Sequence, residues 1–135
     1  MVLEVAGSKP VTHPKFAPLC ASSKGYVVRY FLSVLNSTAN PATDDVTPDI
    51  TAFNTMLRDK GYLVMATGMY GVEDAEVFDN RGGSGQSTAG SYLVQDEAVV
   101  GFWILDLPDA DTARDIAAGA SRACNRRIEL RPLHG

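Results

Sequence analysis

The stretch Gly101-Phe102-Trp103-Ile104-Leu105-Asp106-Leu107-Pro108 decides the fold of this chain, because nearly every side chain from Val99 to Leu107 is apolar. Successive side chains of a strand point to opposite faces, so both faces of this strand must be covered. We predict a central strand with Val99, Trp103, Leu105 and Leu107 on one face, and Val100, Phe102 and Ile104 on the other. Helices of the chain can cover one face. The second face predicts a partner subunit or a deep pocket.

Length and charge exclude several classes of protein. The chain has 135 residues, of which 45% are hydrophobic and 21% charged, as expected for a single soluble domain. Its net charge is −4 and neither sign forms a long run, so we expect no nucleic-acid or membrane partner. The apolar runs are shorter than the ~20 residues of a bilayer span, and the N-terminus does not resemble a signal peptide. These features predict a cytoplasmic protein.

The cysteines and histidines are too scattered to indicate a metal centre. Cys20 and Cys124 lack a CxxC spacing, and we expect both to be free thiols. His13 and His134 lie near the chain ends. The glycine-rich stretch 82–88 lacks the lysine of a Walker loop and the last glycine of the dinucleotide fingerprint. We therefore expect a hairpin or loop at 82–88 and no metal, flavin or nicotinamide cofactor.

Proline spacing and side-chain alternation define the first third of the chain. Residues 1–25 are rich in proline and glycine, which predicts an N-terminal extension, and residues 26–135 form the folded domain. The first strand is predicted over 26–35. One of its rows is entirely apolar, whereas Arg29 and Ser33 interrupt the other. We expect a ligand cavity beside this mixed row.

Two helices and three further strands follow. One helix is predicted from Thr47, as N-cap, to Gly61, and the other from Asp109, as N-cap, to Asn125. Further strands are predicted at 62–67, 75–79 and 127–131, and a short helical turn within 88–97. Together with the central strand, this order predicts an α+β, ferredoxin-like βαββαβ domain with an inserted short strand.

Several of these stretches resemble the YCII-related, or DGPF-type, family over residues 26–133. Gly101-Phe102-Trp103-Ile104-Leu105-Asp106, the following acidic-start helix and Ile128-Glu129-Leu130-Arg131-Pro132 resemble the C-terminal half of that family, which ends in an Ile-Glu-Val-Arg-Pro strand. Residues 61–68 resemble its second strand. The stretch 88–97 stands where the family has its Thr-Asp-Gly-Pro-Phe and Lys-Glu motif. Thr88, Gly90 and Glu97 keep the family residue types there, and Tyr92 is an aromatic replacement.

The resemblance implies a dimeric α/β barrel, in which two four-stranded sheets pack face to face and each subunit keeps a cavity. A homodimer would also cover the second apolar face of the central strand. Some YCII-like relatives carry a histidine in the first helix and an aspartate after the second, a pair suited to proton transfer. In this chain the first helix offers Ile50, Thr51 and Asn54 instead, and residues 117–124 contain no carboxylate.

An acid or base must therefore come from other positions. The catalytic candidates are Glu97, Asp96, Tyr92 and Arg29, and the predicted pocket residues are Tyr30, Ser33 and Trp103. A buried guanidinium at Arg29 needs either a ligand or a carboxylate such as Glu76 or Glu129 as its partner. Asp96 and Glu97 also fit a solvated loop, and the pocket aromatics also fit the core.

Two function classes remain open from the sequence. The first is a cofactor-independent enzyme of lyase, isomerase or cyclase type, acting on a small hydrophobic or aromatic metabolite beside the sheet. The second is a non-catalytic, dimeric small-molecule-binding or accessory protein that lacks the His–Asp pair of its relatives. Missing catalytic residues favour the second class. The retained polar groups and the N-terminal extension, which could cover a pocket, favour the first.

Overall fold

The computed structural model describes residues 27–39, 42–92 and 95–134. The described helices and strands are, in chain order, β1 (Val28–Ser37), α1 (Thr47–Asp59), β2 (Leu63–Gly68), β3 (Glu76–Asp79), β4 (Gln86–Ala89), β5 (Glu97–Leu107), α2 (Ala110–Cys124) and β6 (Arg127–Pro132). The predicted N-terminal extension, together with His13 and Cys20, lies outside the described residues.

The main sheet has four strands in the order β2-β5-β1-β6, and all neighbours pair antiparallel. Both helices pack on one face of this sheet, where they share a core with β1 and β5. The fold is therefore α+β and ferredoxin-like, as predicted. The central position of β5 also agrees with the prediction from its apolar faces.

The core lies between the helices and the predicted apolar rows of the two central strands. Its buried members are Val28, Tyr30, Leu32 and Val34 of β1, Trp103, Leu105 and Leu107 of β5, Leu57 of α1, and Ala113, Ile116, Ala120 and Cys124 of α2. Alanines on α2 let this helix lie close to the sheet. The alternating rows place Arg29, Phe31 and Ser33 on the opposite, helix-free face.

A β-bulge in β5 alters the faces of two valines. The register pairs Val34 with Gly101 but Leu35 with Val99, so Val100 is the extra residue. Val100 consequently packs against the helix-covered core, while Val99 is partly exposed. The predicted assignment of these two valines to the faces of the strand is wrong, because strict alternation does not continue across a bulge.

The helix ends agree with the sequence at α2 and differ at α1. Asp109 caps α2 by accepting the backbone N–H of Thr112 at 2.7 Å, and Asn125 ends it with φ 52°. At α1 the capping residue is Val46 rather than Thr47, and the Asp45 carboxylate accepts the Thr47 N–H at 3.0 Å. Among the described helices, none is long and apolar enough to cross a lipid bilayer.

A hairpin between β2 and β5 replaces the single inserted strand of the prediction. β3 and β4 pair antiparallel, and the glycine-rich stretch 82–88 forms their turn and the first part of β4. This hairpin agrees with the hairpin or loop that the sequence predicts at 82–88. The helical turn predicted within 88–97 is wrong over 88–92, because Thr88 and Ala89 belong to β4 and no helix follows before Tyr92. Residues 93–94 lie outside the described residues.

Candidate functional site

A cavity of about 410 Å³ lies between α1, the sheet and the C-terminal end of α2. Its walls are mostly aliphatic and aromatic, and its polar lining groups come from an asparagine, a threonine, a cysteine and an arginine. The described lining residues are Val34, Val46, Ile50, Asn54, Ala66, Thr67, Gly68, Val100, Gly101, Phe102, Trp103, Cys124 and Arg126. A cavity of this size and composition is typical of a small-molecule site.

Asn54 and Trp103 form one wall of the cavity and hold each other in place. Helical spacing puts Ile50, Asn54 and Leu57 on the side of α1 that faces the sheet. The indole Nε1 of Trp103 donates to Asn54 Oδ1 at 2.7 Å, and the Phe53 ring packs edge-on against the indole at 5.6 Å between ring centres. Trp103 is only 4% exposed.

The indole also decides the orientation of the Asn54 amide. An indole N–H can only donate, so the atom of Asn54 that it contacts must be the carbonyl oxygen. The amide nitrogen Nδ2 then points elsewhere, and no described residue accepts a hydrogen bond from it. Asn54 therefore offers fixed N–H donors at the wall of an apolar cavity.

Arg126 supplies the charged end of the cavity. Its side chain is 13% exposed and lies between the loop before α1 and the end of α2. The guanidinium donates to the carbonyl oxygen of Cys124 at 2.5 Å, and to Ala42 O and Asp44 Oδ1 at 3.3 Å each. Asp44 is the one described carboxylate that contacts this guanidinium, through a single long bond.

Cys124 places a thiol against the same end of the cavity. The residue is 2% exposed, and burial raises the pKa of its thiol above the usual value, although the neighbouring Arg126 opposes the shift. The thiol is therefore protonated at neutral pH and behaves as a small apolar group with a weak S–H donor. It is free, as the sequence predicted.

Glycine at position 101 lets two strands approach closely beside the cavity. A Cβ on Gly101 would lie 2.9 Å from the carbonyl oxygen of Thr67 and 3.3 Å from the Cα of Gly68. Any larger residue would push β2 away from β5. The cavity floor therefore depends on the absence of a side chain at this position.

Of the seven site residues expected from the sequence, the structure places Trp103 in the lining of this cavity. Arg29 lies on the opposite face of the sheet, near the other end of β1, where it forms a bidentate ion pair with Asp106 at 2.7 and 2.8 Å. This is the internal carboxylate partner that the sequence left open as an alternative to a ligand. Half of the Arg29 side chain is exposed.

Tyr30 and Ser33 are both buried, but on different faces. Tyr30 belongs to the core on the helix-covered face and pairs with Leu105 and Pro132 in the ladder, away from the cavity. Ser33 lies on the helix-free face, between Phe102 and Glu129 of the neighbouring strands. Neither residue is among those that line the cavity.

The structure brings Asp96 and Glu97 together at the start of β5 and leaves Tyr92 at the surface. Asp96 Oδ1 accepts the Ser37 hydroxyl at 3.0 Å, and the Glu97 carboxylate forms an ion pair with Arg127. Tyr92 is 77% exposed. None of the three lines the cavity, and their catalytic roles stay predictions.

Arg126 lines the cavity and is not among the site residues predicted from the sequence. Arg126 follows the helix-ending Asn125, and only the fold brings it beside Asp44. A usable signal was present for Asn54, which occupies the sheet-facing stripe of an otherwise apolar helix face. Within the described ranges, no group of three or more His, Cys, Asp or Glu side chains is placed to hold a metal ion.

The ferredoxin-like sheet and the cavity beneath α1 define a small α+β domain with an apolar ligand-sized site. The model of the YCII-related domain matches residues 28–133, so the chain belongs to the YCII-related domain family. A search of curated proteins finds no match. The family and the α+β, ferredoxin-like fold are thus confirmed, whereas the dimeric barrel stays a prediction.

Proposed function

We propose that this protein binds a small hydrophobic or aromatic molecule in the cavity beneath α1. The observation that carries the proposal is the fixed amide of Asn54, which presents a donor at the wall of a largely apolar space of about 410 Å³. A few oriented polar groups among apolar walls give a small-molecule site both affinity and orientation. Trp103 would contact the flat face of such a ligand.

Ligand-observed saturation-transfer NMR with small aromatic compounds tests this proposal. Ala66→Leu adds side-chain volume to the cavity lining and should abolish the transfer. Ala52→Leu makes the same change on an exposed position of α1 and should leave it intact. If saturation transfer is still observed with a folded Ala66→Leu variant, the ligand binds elsewhere and the proposal is contradicted.

Cofactor-independent catalysis of lyase or isomerase type is the second candidate function, and it would use the same cavity. The observation that favours it is the protonated Cys124 thiol, which lies where a bound molecule would contact it. A thiol in this state could donate a proton to a carbon or oxygen atom of the ligand. The buried thiol alone does not define a substrate or a reaction.

Deuterium exchange tests the catalytic candidate. The protein is incubated in D₂O with phenylacetaldehyde, a small aromatic carbon acid, and exchange at the carbon beside the carbonyl is followed by NMR. If the Cys124 thiol donates a proton to the carbonyl oxygen while water removes the proton from the carbon atom, Cys124→Ala should lower the exchange rate to that in buffer. Glu97→Gln, Asp96→Asn and Tyr92→Phe test the catalytic roles predicted for those residues in the same way. The absence of exchange above the rate in buffer leaves binding as the function.

We also propose that the protein is a homodimer, formed through the helix-free face of the sheet. Phe31 and Phe102 stack there with ring centres 5.2 Å apart, and Ile104 lies beside them in the ladder. The charged groups near these rings are ion pairs within the chain, such as Arg29 with Asp106, so the face carries little net charge. A second copy could cover this apolar centre by sheet-on-sheet packing.

Sedimentation equilibrium at micromolar concentration tests the dimer. The native chain should sediment at twice its mass of 14.4 kDa, whereas Phe102→Glu should place a charge at the centre of the interface and yield monomers. Phe78→Glu, on the exposed hairpin strand β3, is the control with the same change and should leave the dimer intact. A native chain that sediments as a monomer contradicts this proposal.

A cytoplasmic location also remains a proposal. It is supported by the free, buried thiol of Cys124, which suits a reducing compartment. Fractionation of cells that express the full chain, followed by detection of the protein in the cytosolic and secreted fractions, tests it directly.

A further inference from the structure

We infer that the cavity selects ligands with a carboxylate group attached to a small aromatic body, and that Asn54 and Arg126 determine this preference. The inference rests on the proposed binding function and adds the chemical class of the ligand. It combines three observations: the orientation of one amide, the charge of one partly buried guanidinium, and the apolar character of the remaining wall.

The first observation is that the Asn54 amide nitrogen is a donor without a described partner, at a residue that lines the cavity. Its carbonyl oxygen is occupied by the Trp103 indole at 2.7 Å, which prevents the amide from rotating to present an acceptor. A ligand atom that contacts Nδ2 must therefore accept a hydrogen bond. An ammonium or another pure donor at this point would leave the Asn54 N–H groups unpaired.

The second observation is the positive charge of Arg126. Asp44 offers this guanidinium one carboxylate oxygen at 3.3 Å, and the carbonyl oxygens of Cys124 and Ala42 accept its other described hydrogen bonds. Its charge therefore faces one distant carboxylate oxygen, whereas Arg29 has a bidentate carboxylate at 2.7 and 2.8 Å. Asp44 itself is shared with Asn125 Nδ2 at 3.4 Å. The described lining contains no carboxylate, so a ligand anion would complete the hydrogen bonding of Arg126.

The third observation is that the rest of the lining offers apolar and aromatic surface. Trp103 contributes its ring, and valine and isoleucine side chains complete the wall. A hydrated polar body, such as a sugar, would lose water there without replacing its hydrogen bonds. An aryl group gives up few hydrogen bonds with water on entering such a space, and it gains contact with the Trp103 ring.

The test uses three probes that share one aromatic body and differ in the polar group. Phenylacetate carries a carboxylate, phenylacetamide a neutral carbonyl, and phenethylamine a cationic donor. Trp103 is the single tryptophan of the chain and lines the cavity, so its fluorescence reports occupancy directly. For the native protein we expect phenylacetate to bind most tightly and phenethylamine at least about tenfold more weakly, a factor that corresponds to roughly 1.4 kcal/mol.

Two variants assign the preference to its residues. Asn54→Asp keeps an oxygen for the Trp103 indole but replaces the N–H donor by a negatively charged oxygen. The affinity for phenylacetate should therefore fall at least tenfold, and the affinity for phenethylamine should rise. Asn80→Asp adds the same charge in the exposed turn between β3 and β4, outside the cavity lining, and should change neither. Arg126→Gln should lower the affinity for phenylacetate but not the affinity for phenylacetamide. If it does not fold, Arg126→Lys, which keeps the charge and loses the planar fork, should show a smaller loss of the same kind.

The outcomes separate this inference from the proposed function. If the three probes bind the native protein equally, or phenethylamine binds best, the carboxylate preference is wrong while small-molecule binding stands. If Asn54→Asp and Arg126→Gln leave the order of affinities unchanged, other residues determine selectivity and the inference is overturned. If none of the probes binds, both the inference and the proposed function fail.

Discussion

Trp103 on the central strand donates its indole N–H to Asn54 on the first helix at 2.7 Å, across 49 residues of sequence. The bond joins α1 to β5 at the wall of the cavity and satisfies a polar group that is otherwise buried among apolar side chains. It serves two purposes at once, because it joins α1 to β5 and fixes the orientation of the Asn54 amide at the cavity wall.

The hydrogen bond between Trp103 and Asn54 predicts that Asn54→Leu is less stable than the native protein. This change leaves the indole N–H of a buried tryptophan unpaired, so the free energy of unfolding should fall by about 1–3 kcal/mol. Asn54→Asp keeps an acceptor and should cost less. Denaturant unfolding, followed by the fluorescence of Trp103, measures both. Equal stability of Asn54→Leu and the native chain would show that the bond contributes nothing to the fold.

The close approach of β2 and β5 predicts that alanine destabilises the protein much more at Gly101 than at Gly68. Gly101→Ala should destabilise the protein by about 1–3 kcal/mol, because its Cβ would lie 2.9 Å from the Thr67 carbonyl oxygen. Gly68→Ala is the matched control, since its Cβ would meet Val100 O at an ordinary 3.8 Å. Thermal unfolding of both variants is the measurement, and similar losses in both would contradict the steric explanation.

The N-cap of α2 predicts that Asp109→Ala lowers the free energy of unfolding more than Asp111→Ala does. Asp109 accepts the Thr112 N–H at 2.7 Å, and this bond holds the pKa of its carboxyl below the usual value. Asp109→Ala should therefore lower the free energy of unfolding by about 1 kcal/mol. Asp111→Ala, which breaks only an exposed ion pair with Arg114 in the same turn, should cost less than about 0.5 kcal/mol. Reversal of this order would contradict the capping role.

The ion pair on the helix-free face predicts a pH dependence of stability. Hydrogen bonding from the Arg29 guanidinium holds the pKa of the Asp106 carboxyl below its usual value, although partial burial opposes the shift. A carboxyl with a lowered folded-state pKa stabilises the fold above its unfolded pKa of about 3.9. That contribution is lost as the pH falls through the lower, folded-state pKa.

Two variants isolate this contribution. In Asp106→Asn the carboxyl is gone, so the stability difference from the native chain should shrink as the pH is lowered below about 4. Arg29→Met removes the partner that lowers the pKa and should weaken the same acid dependence, without affecting ligand binding in the cavity on the other face. Urea unfolding at a series of pH values measures both variants. An unchanged difference at low pH would mean that the pair does not couple to folding.

Local features of the sequence were enough to predict most of the fold. The strand around Trp103 is apolar on both faces, which requires a central position in a sheet whatever its neighbours are. The apolar row of β1 and the Asp109 cap of α2 depend on side chains within a few residues of each other. Such signals are short-range, so they can be identified before any tertiary contact is known.

Tertiary structure alone decided the site. Arg29 and Asp106 are 77 residues apart and meet because the register of β1 with β5 places them opposite each other. Arg126 and Asp44 are 82 residues apart, and no spacing in the sequence indicates their contact. The bulge at Val100 moves a side chain from one face to the other, which no alternating pattern anticipates. The sequence determined which segments pair and bury their apolar rows, whereas the cavity depends on registers and packing distances that arise only when those segments meet.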